Sequence, residues 1–318
     1  MSRYILKRVV WMIPIMLGIA ITIFTIMYFV PGNPAEMILG SNASEADIQA
    51  LEESMGLNKP YLARLGDYLS GLFFHLDLGT SYISRNSIKA ELLSKIPRTL
   101  LLGLTSMTIS SILGVLFGIT AAIHQNRWQD RLCMFLALAG ISMPAFWLAL
   151  LLVQLFAVNL RWLPASGIGG IEYYILPAAA SAIGGMATLA RQTRSSMLEV
   201  IRSDYITTAR SKGLTEREVI YKHALPNALI PVITVIGTHF GTLLGGSLVI
   251  ETIFTIPGIG IYMTTAINNR DYPVVQSCVI VVGLVFSICM LLVDIGYAYV
   301  DPRIKAQYEN SAKRRKKA

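Results

Sequence analysis

The sequence predicts an all-α, polytopic membrane protein with six transmembrane helices, and two observations support this prediction. First, 54% of the 318 residues are hydrophobic and 14% are charged, whereas a soluble domain carries about 25% charged residues. The mean hydropathy is +0.56. Second, six apolar runs reach the roughly 20 residues that a helix needs to cross a bilayer core. They are residues 9–30, 99–123, 132–158, 173–190, 224–250 and 274–293.

The first run follows Arg3, Lys7 and Arg8, as the apolar core of a secretory signal would. It is longer than such a core, and the following Val30-Pro31 region offers no cleavage site of small residues. We therefore expect a retained first span. The fourth run is the shortest, and we expect its helix to continue past Arg191 and out of the membrane.

The net charge of +8 does not indicate nucleic-acid binding, because the cations gather in segments on one side of the predicted spans. This asymmetry sets orientation in a bilayer. The cations that we place outside lie mostly in residues 31–98, a long segment in which charge has little influence on orientation. We expect both termini to be cytoplasmic, including a basic tail at residues 303–318.

Residues 31–98 carry the pattern of two amphipathic helices. Ser44 and Asp47 have capping-box spacing, and Gly56 suits a C-terminal stop. Apolar residues then recur at helical spacing after Pro60. We expect both helices to lie against the outer membrane face, as a lid over the span ends or, alternatively, as an independent binding domain.

Several kinds of chemistry have no sequence support. The chain has no G-x-x-x-x-G-K-[ST] phosphate loop, no zinc-site spacing of Cys and His, and no G-x-S-x-G nucleophile motif. The three cysteines lie in apolar runs and are interpreted as packing residues. We predict a non-catalytic subunit that binds no cofactor itself. An ion-coupled carrier remains an alternative, although such carriers place ionisable groups at membrane depth, where only His239 lies.

Residues 191–225 form a polar segment between two apolar runs. Ser203 or Asp204 can cap a short helix that ends at Gly213, and Thr215 with Glu218 forms a second capping box. Val219 and Ile220 are expected to be exposed apolar groups on this segment, which suggests an interface. A capped connecting loop with no partner is the alternative.

Thr208-Ala209, Gly213 and Leu225-Pro226 have the spacing of the E-A-A-x-x-x-G…L-P loop of bacterial ABC importer permeases, and the segment resembles that loop. In that family the loop docks into a cleft of the ATPase. Thr207 replaces the usual Glu, and His223 takes a usually aliphatic place. The resemblance implies an ATPase-coupling role for Thr207, Thr208, Ala209, Gly213, Leu214, Glu216, Val219, Ile220, Leu225 and Pro226.

The resemblance covers nearly the whole chain. Motifs such as Leu57-Asn58-Lys59-Pro60, Ser142-Met143-Pro144, Pro257-Gly258-Ile259-Gly260 and Asp301-Pro302-Arg303 are similar to the first permease subunit of dipeptide, oligopeptide and nickel importers. It implies an ABC type I importer permease in a bacterial inner membrane. Its implied partners are a second homologous permease, two ATP-binding subunits that hold ATP and Mg, and an extracytoplasmic substrate-binding protein.

Candidate path residues lie in the fifth run. Gly237, Gly241 and Gly245 recur every four residues, as Gly114 and Gly118 do in the second run, and such faces allow close helix approach. We regard His239, Gly241 and Gly245 as possible translocation-path residues. His239 is also a candidate metal ligand, because imidazole is a common ligand, and helix packing is the alternative role.

The segment after the fifth run is predicted to be a tight turn at Pro257-Gly258-Ile259-Gly260, followed by a polar cluster. By resemblance, Asn269, Arg270, Asp271 and Tyr272 are possible contacts for the binding protein, and an ordinary surface loop is the alternative. The predicted organisation is thus a first span with its outer segment (1–98), a five-helix permease core (99–302) and the tail (303–318). The expected substrate is a di- or oligopeptide, with nickel, free or chelated, as the alternative.

Overall fold

The structure is a computed structural model that describes residues 2–40 and 43–300. These residues are helical apart from connecting segments and one isolated antiparallel bridge between Thr80 and Ser87. Two π-helical segments, Val153–Asn159 and Val219–Ala224, directly follow the seventh and tenth α-helices. The predicted tail at residues 303–318 lies outside the described residues.

In chain order the α-helices are α1 (Ser2–Phe29), α2 (Pro34–Leu39), α3 (Glu45–Ser54), α4 (Tyr61–Phe74), α5 (Ile88–Ile123), α6 (Trp128–Ser142), α7 (Ala145–Leu152), α8 (Glu172–Ile201), α9 (Asp204–Ser211), α10 (Glu216–Glu218), α11 (Leu225–Ile253), α12 (Ile259–Asn268) and α13 (Tyr272–Val300).

The membrane-spanning elements agree with the apolar runs. Within the described residues, five helical stretches are long and apolar enough to cross a bilayer, and a bent helix pair makes a sixth if it counts as one span. The helix of the fourth run, α8, continues to Ile201, as its composition predicts. The predicted all-α polytopic fold is confirmed.

The third run is not the single straight span that we predicted for residues 132–158. It is divided into α6 and α7 with its π-helical continuation, and the two parts are bent by 104°. The break lies at Met143-Pro144, where Met143 is extended (φ −89°, ψ 127°). Proline has no N–H to donate and disfavours helical geometry in the residue before it. Hydropathy is insensitive to both effects, so the run appeared continuous.

Other differences concern segments that precede or follow the apolar runs. α5 begins at Ile88 rather than near residue 99, because a polar first part precedes the apolar stretch. α2 and α12 were not predicted, since both are short helices between longer features. The tight turn expected at Pro257-Gly258 is followed at once by α12, whose first residue is Ile259.

The two helices predicted after the first span are confirmed as α3 and α4. Ser44 precedes α3, and its hydroxyl accepts a hydrogen bond from the Asp47 backbone N–H at 3.2 Å. Gly56 follows with a φ of +67°, a conformation that glycine adopts without steric cost. A side chain–backbone bond therefore sets the start of α3, and the glycine conformation sets its end.

The chain divides into two compact units. Among the described residues, unit 1 comprises residues 2–6, 100–256 and 288–300, and unit 2 comprises residues 7–40, 43–99 and 257–287. Our sequence-based division at residues 98 and 302 followed chain order, whereas packing places Pro257–Ser287 with the N-terminal segment.

Unit 1 is organised around α8, which packs against α6, α7 and α11. α5 also packs closely against α8 at Gly118. A Cβ atom added to this glycine would lie 2.7 Å from the Ala190 carbonyl oxygen, which is closer than a real side chain could approach. Gly114 makes a similar approach, so the predicted close packing at these two glycines is confirmed. On α11 the pattern is not uniform: a Cβ at Gly237 would be 2.3 Å from Val293 Cγ1, but one at Gly245 would meet nothing within 4 Å.

Unit 2 is held together by packing of apolar residues from α1, α5, α12 and α13 and by a buried polar junction. The Asp271 carboxylate accepts hydrogen bonds from the Ser81 hydroxyl and, at 3.0 Å, from the Tyr82 backbone N–H. Ser277 donates to the Leu78 carbonyl oxygen at 2.8 Å. These bonds fix the segment before α5 against the start of α13.

Candidate functional site

The polar segment between α8 and α11 is an ordered structure, which we call the coupling platform (residues 203–225). It consists of α9, α10 and the π-helical segment Val219–Ala224. The predicted capping box of α10 is confirmed, because Thr215 and Glu218 bond each other's backbone N–H groups. Ser203 occupies the N-cap position of α9, but its hydroxyl donates to the Val200 carbonyl oxygen and does not cap that helix.

The turn between α9 and α10 depends on Gly213. Its φ is +83°, which disfavours any residue with a Cβ, and its N–H donates to the Arg210 carbonyl oxygen at 3.0 Å. Across the turn, the Arg210 guanidinium bonds both carboxylate oxygens of Glu216, at 2.7 and 3.3 Å. Together the turn and the ion pair fix the angle between the two helices.

Our expectation that Val219 and Ile220 are exposed is wrong. Their side chains are 0% and 8% exposed, and they pack in one cluster with Met197 of α8 and Ile206 of α9. Both side chains lie at the start of the π-helical segment, which packs against α8 and α9. They therefore hold the platform onto the body of unit 1, and the outer surface is formed by other residues.

The exposed surface of the platform combines polar groups with separate apolar side chains. Of the predicted coupling residues, Thr207, Thr208, Gly213, Leu214, Glu216 and Pro226 are exposed, Leu225 is half-buried, and Ala209, Val219 and Ile220 are buried. Tyr205 and Tyr221, which sequence reasoning missed, are 46% and 51% exposed. Each tyrosine lies next to a buried residue, and this pattern could have indicated that the tyrosine side chains are exposed. Each lies in a helical segment that is too short to show a clear periodicity.

The platform is joined to α11 without a break in the helix. α10, the π-helical segment and α11 follow one another from Glu216 to Ile253. Pro226 stands at the start of α11, directly after the π-helical segment, and the Asn227 side chain donates to the His223 carbonyl oxygen at 2.9 Å. A displacement of the platform can therefore reach α11 directly through a continuous backbone.

A buried ion pair fixes α8 to α6 in unit 1. The Arg194 guanidinium donates to both oxygens of Asp130, at 2.7 Å each, and the Asp130 side chain is 5% exposed. Asp130 also accepts a hydrogen bond from the Asn126 backbone N–H at 2.9 Å. Sequence reasoning missed the pair because its members are 64 positions apart.

Replacing Asp130 with Asn is expected to lower stability, because it removes the charge from a bidentate pair that is largely buried. A hydrogen bond to a charged group contributes about 1.5–3 kcal/mol. Thermal unfolding of the purified chain in detergent measures the loss. Asp67→Asn is the control, because its 2.6 Å pair with Lys59 is exposed at both ends and such pairs contribute about 0–1 kcal/mol. Equal shifts in the two variants would contradict this account.

A cavity of about 280 Å³ lies within unit 1, among α6, α7, α8 and α11. We call it the His239 cavity. No Asp, Glu, Lys or Arg is among the described residues that line it; its polar groups are Ser181, Thr188, His239 and Thr242, and four of its lining residues are glycines. The bend between α6 and α7 contributes Met143. Gly241 and Gly245 do not line this cavity, whereas Thr242 and Gly246 of the same helix do.

His239 is held on one side only. Its Nδ1 lies 3.1 Å from the Thr242 hydroxyl, while its Nε2 is buried and has no hydrogen-bond partner in the structure. The imidazole ring packs directly against Gly185. A Cβ atom added to this glycine would lie only 1.7 Å from Nε2, so there is no room for a side chain at this position. The Ser181 hydroxyl is also buried without a partner. Buried polar atoms are normally paired, so this cavity offers two unused hydrogen-bonding groups.

The polar cluster predicted to contact a binding protein is divided between surface and interior. Asn269 is exposed and Arg270 is half-buried, but Asp271 and Tyr272 are buried in unit 2. Asp271 bonds Ser81 and Tyr82, and the Tyr272 hydroxyl donates to the Gly32 carbonyl oxygen at 3.3 Å. These two residues have a structural role, which corrects our expectation that they are available for contact.

In the part of the chain that the structure describes, no group of three or more His, Cys, Asp or Glu side chains is arranged to hold a metal ion. His239 is accompanied in its cavity by hydroxyl groups rather than by further imidazoles, thiols or carboxylates.

Comparisons with known proteins agree with this architecture. Residues 114–306 match the family described as binding-protein-dependent transport system inner membrane component, and residues 1–103 match the N-terminal region of such membrane components. The dipeptide transport system permease protein DppB of Alkalihalophilus pseudofirmus is 46% identical, over 96% of this chain and 100% of its own length. The glutathione transport system permease protein GsiC of Salmonella typhimurium is 41% identical, over 96% and 99%.

Solved structures show the same fold at low sequence identity. A chain of the MetNI methionine ABC transporter in an inward-facing conformation has a TM-score of 0.58 at 18% identity, with 66% of this chain and 96% of that chain covered. A chain of an amino acid ABC transporter crystallised with histidines has a TM-score of 0.51 at 14% identity, with 68% and 94% covered. This chain belongs to the family of binding-protein-dependent transport system inner membrane components, and it is a non-catalytic permease subunit.

Proposed function

We propose that this chain is the permease subunit of an ATP-driven importer of di- and oligopeptides. It would form the translocation path with a second, homologous permease, and two ATP-binding subunits holding ATP and Mg would supply the energy. An extracytoplasmic binding protein would deliver the substrate. The observation that carries this proposal is the continuous helix from the coupling platform to the His239 cavity.

The mechanism follows from that continuity. Closure of the ATP-binding subunits would displace the exposed surface of the platform, including Thr207, Thr208 and Leu214. Because Val219 and Ile220 are buried against α8 and α9, the platform would move as one body. α11 would move with it and change the shape of the His239 cavity, which is alternating access by movement of packed helices.

The lining of the His239 cavity suits a peptide. Hydroxyl groups and an imidazole can bond the peptide N–H and C=O groups, which every peptide carries. The absence of charged residues from the described lining, and the glycines at four positions, would tolerate different side chains. The relatives named for dipeptide and glutathione transport support a peptide substrate.

Nickel, free or chelated, was the alternative substrate. In the described residues the His239 cavity would offer a metal a single imidazole nitrogen and hydroxyl groups, whereas imidazole sites usually combine several nitrogen, sulfur or carboxylate ligands. An ion-coupled carrier, the alternative mechanism, would use a buried ionisable group for coupling. The named relatives favour neither alternative.

We further propose that the chain crosses a bacterial inner membrane with both termini in the cytoplasm. The distribution of Lys and Arg along the sequence supports this orientation. It places the coupling platform and the Asp130–Arg194 pair on the ATPase side, and α3 and α4 on the outer side.

Uptake of labelled dialanine and of labelled nickel in cells with and without this chain tests the proposal. Loss of dialanine uptake alone is the expected result. Loss of nickel uptake alone would overturn the peptide assignment. In liposomes, the purified chain without ATP-binding subunits is expected to transport nothing against a gradient, and uphill transport under those conditions would refute the proposed energy source.

A further inference from the structure

A second cavity, of about 460 Å³, lies within unit 2 among α1, α4, the segment before α5 and the start of α13. We call it the Tyr68 cavity. It shares no residue with the His239 cavity or the coupling platform, and the transport mechanism makes no use of it. Its volume falls in the range of about 300–1,000 Å³ that is typical of small-molecule sites. Its walls combine aromatic rings with charged groups.

The inner wall of this cavity carries an unused hydrogen-bond donor. The Tyr68 ring stacks on Phe24, with centroids 5.3 Å apart, and its hydroxyl oxygen is buried without a partner in the structure. Burial raises the pKa of the Tyr68 phenol, so the group keeps its proton. A buried hydroxyl without a partner is unfavourable, and an acceptor in the cavity would satisfy it.

A guanidinium group with free donors lies at the same cavity. Arg64 is half-buried, its Cζ lies 5.3 Å from the centroid of the Tyr28 ring, and one of its nitrogens is 3.4 Å from the Leu57 carbonyl oxygen. No carboxylate of the described residues forms an ion pair with it, whereas the neighbouring Lys59 is paired with Asp67 at 2.6 Å. Arginine binds carboxylates and phosphates through two parallel donors.

The exposed edge of the cavity offers the opposite charge. One oxygen of Asp77 accepts a hydrogen bond from the Gly79 N–H at 2.8 Å, and the side chain is otherwise exposed. A carboxylate in this position can bind an ammonium group, and nearby aromatic rings add to that attraction. The cavity therefore presents donors for an anion and an acceptor for a cation.

We propose that the Tyr68 cavity binds a small zwitterion, with its carboxylate or phosphate at Arg64 and Tyr68 and its ammonium group at Asp77. Two sources carry this chemistry: a free peptide or amino acid, and the head group of a zwitterionic phospholipid such as phosphatidylethanolamine. The proposal does not depend on the transported substrate, because the Tyr68 cavity shares no lining residue with the His239 cavity.

The test uses the assembled transporter without its binding protein. One arm measures equilibrium binding of labelled dialanine to complexes in phosphatidylglycerol nanodiscs, where no lipid ammonium is present. The other arm counts phosphatidylethanolamine and phosphatidylglycerol bound to complexes in detergent by native mass spectrometry. Binding of dialanine identifies a free ligand, and preferential retention of phosphatidylethanolamine identifies a lipid.

Tyr68→Phe removes only the hydroxyl and keeps the ring stacked on Phe24. We expect it, Arg64→Gln and Asp77→Asn each to weaken binding of the zwitterion about tenfold, the usual effect of losing one charge-assisted or buried hydrogen bond. Tyr61→Phe is the matched control in the same helix, because the Tyr61 hydroxyl is already bonded to Thr25 at 2.7 Å and does not line the cavity.

Two results would overturn the proposal. In the first, neither probe binds the wild-type complex more tightly than the Tyr68→Phe complex. In the second, phosphatidylglycerol is retained as well as phosphatidylethanolamine while dialanine does not bind, which would remove the need for an ammonium group.

Discussion

Replacing Gly213 with Pro is expected to abolish association with the ATP-binding subunits and, with it, ATP-driven uptake. Proline fixes φ near −65°, but this position requires +83° and uses its N–H to bond the Arg210 carbonyl oxygen. The turn between α9 and α10 must therefore open, and the exposed surface of the coupling platform loses its shape. Co-purification of the ATP-binding subunits with the tagged permease measures the effect.

Because Gly213→Pro changes the backbone, a surface variant separates docking from local folding. Leu214→Asp leaves the turn intact but places a charge at a side chain that is 36% exposed on the platform. We expect ATPase association to weaken about tenfold, as for loss of a central interface contact. Ile83→Asp, at a 47% exposed site in unit 2, is the control and is expected to have no effect. Wild-type association in both platform variants would contradict the assigned docking surface.

Replacing Gly185 with Val is expected to reduce peptide uptake about tenfold, because overpacking in a close-packed site costs about 1–3 kcal/mol and about 1.4 kcal/mol corresponds to a factor of ten in rate. A Cβ at this position would be 1.7 Å from His239 Nε2, so the imidazole must leave its place in the cavity. The initial rate of labelled dialanine uptake measures the loss, with membrane content of the permease determined in the same cells.

The adjacent Gly184 provides a matched control. It lines the same cavity on the same helix, but a Cβ added there would meet nothing within 4 Å. Gly184→Val therefore has the same helix propensity and the same added volume without displacing His239. Because Gly184 also lines the cavity, we expect a loss of uptake that is clearly smaller than the loss caused by Gly185→Val. If the two variants lose uptake equally, the position of His239 has no particular role in transport.

Much of the fold was predictable because the relevant information is local. Crossing a bilayer requires about 20 consecutive apolar residues, and all six runs coincide with helices or with the bent pair. The start of α10 was also predictable, since Thr215 and Glu218 are three residues apart. Pro144 was visible in the sequence, but a hydropathy window does not register the bend that it produces.

The candidate sites were predictable only in part. The platform was located correctly, but the exposure of Val219 and Ile220 was not, because an apolar pair in a short polar helix fits an interface and a buried anchor equally well. Asp271 shows the same ambiguity: a polar residue in a loop can face solvent or bond a distant segment, here Ser81, which is 190 positions away.

The sequence by itself determined the helical, lipid-embedded class of the protein, the positions of its spans and the capping box of α10. These depend on hydropathy and on bonds between residues within one helical turn. Only the tertiary structure decided which side of the platform is exposed, which charges pair, and which residues surround the two cavities. Those features arise from contacts between helices far apart in the chain, and the order of residues does not specify such contacts without the packing.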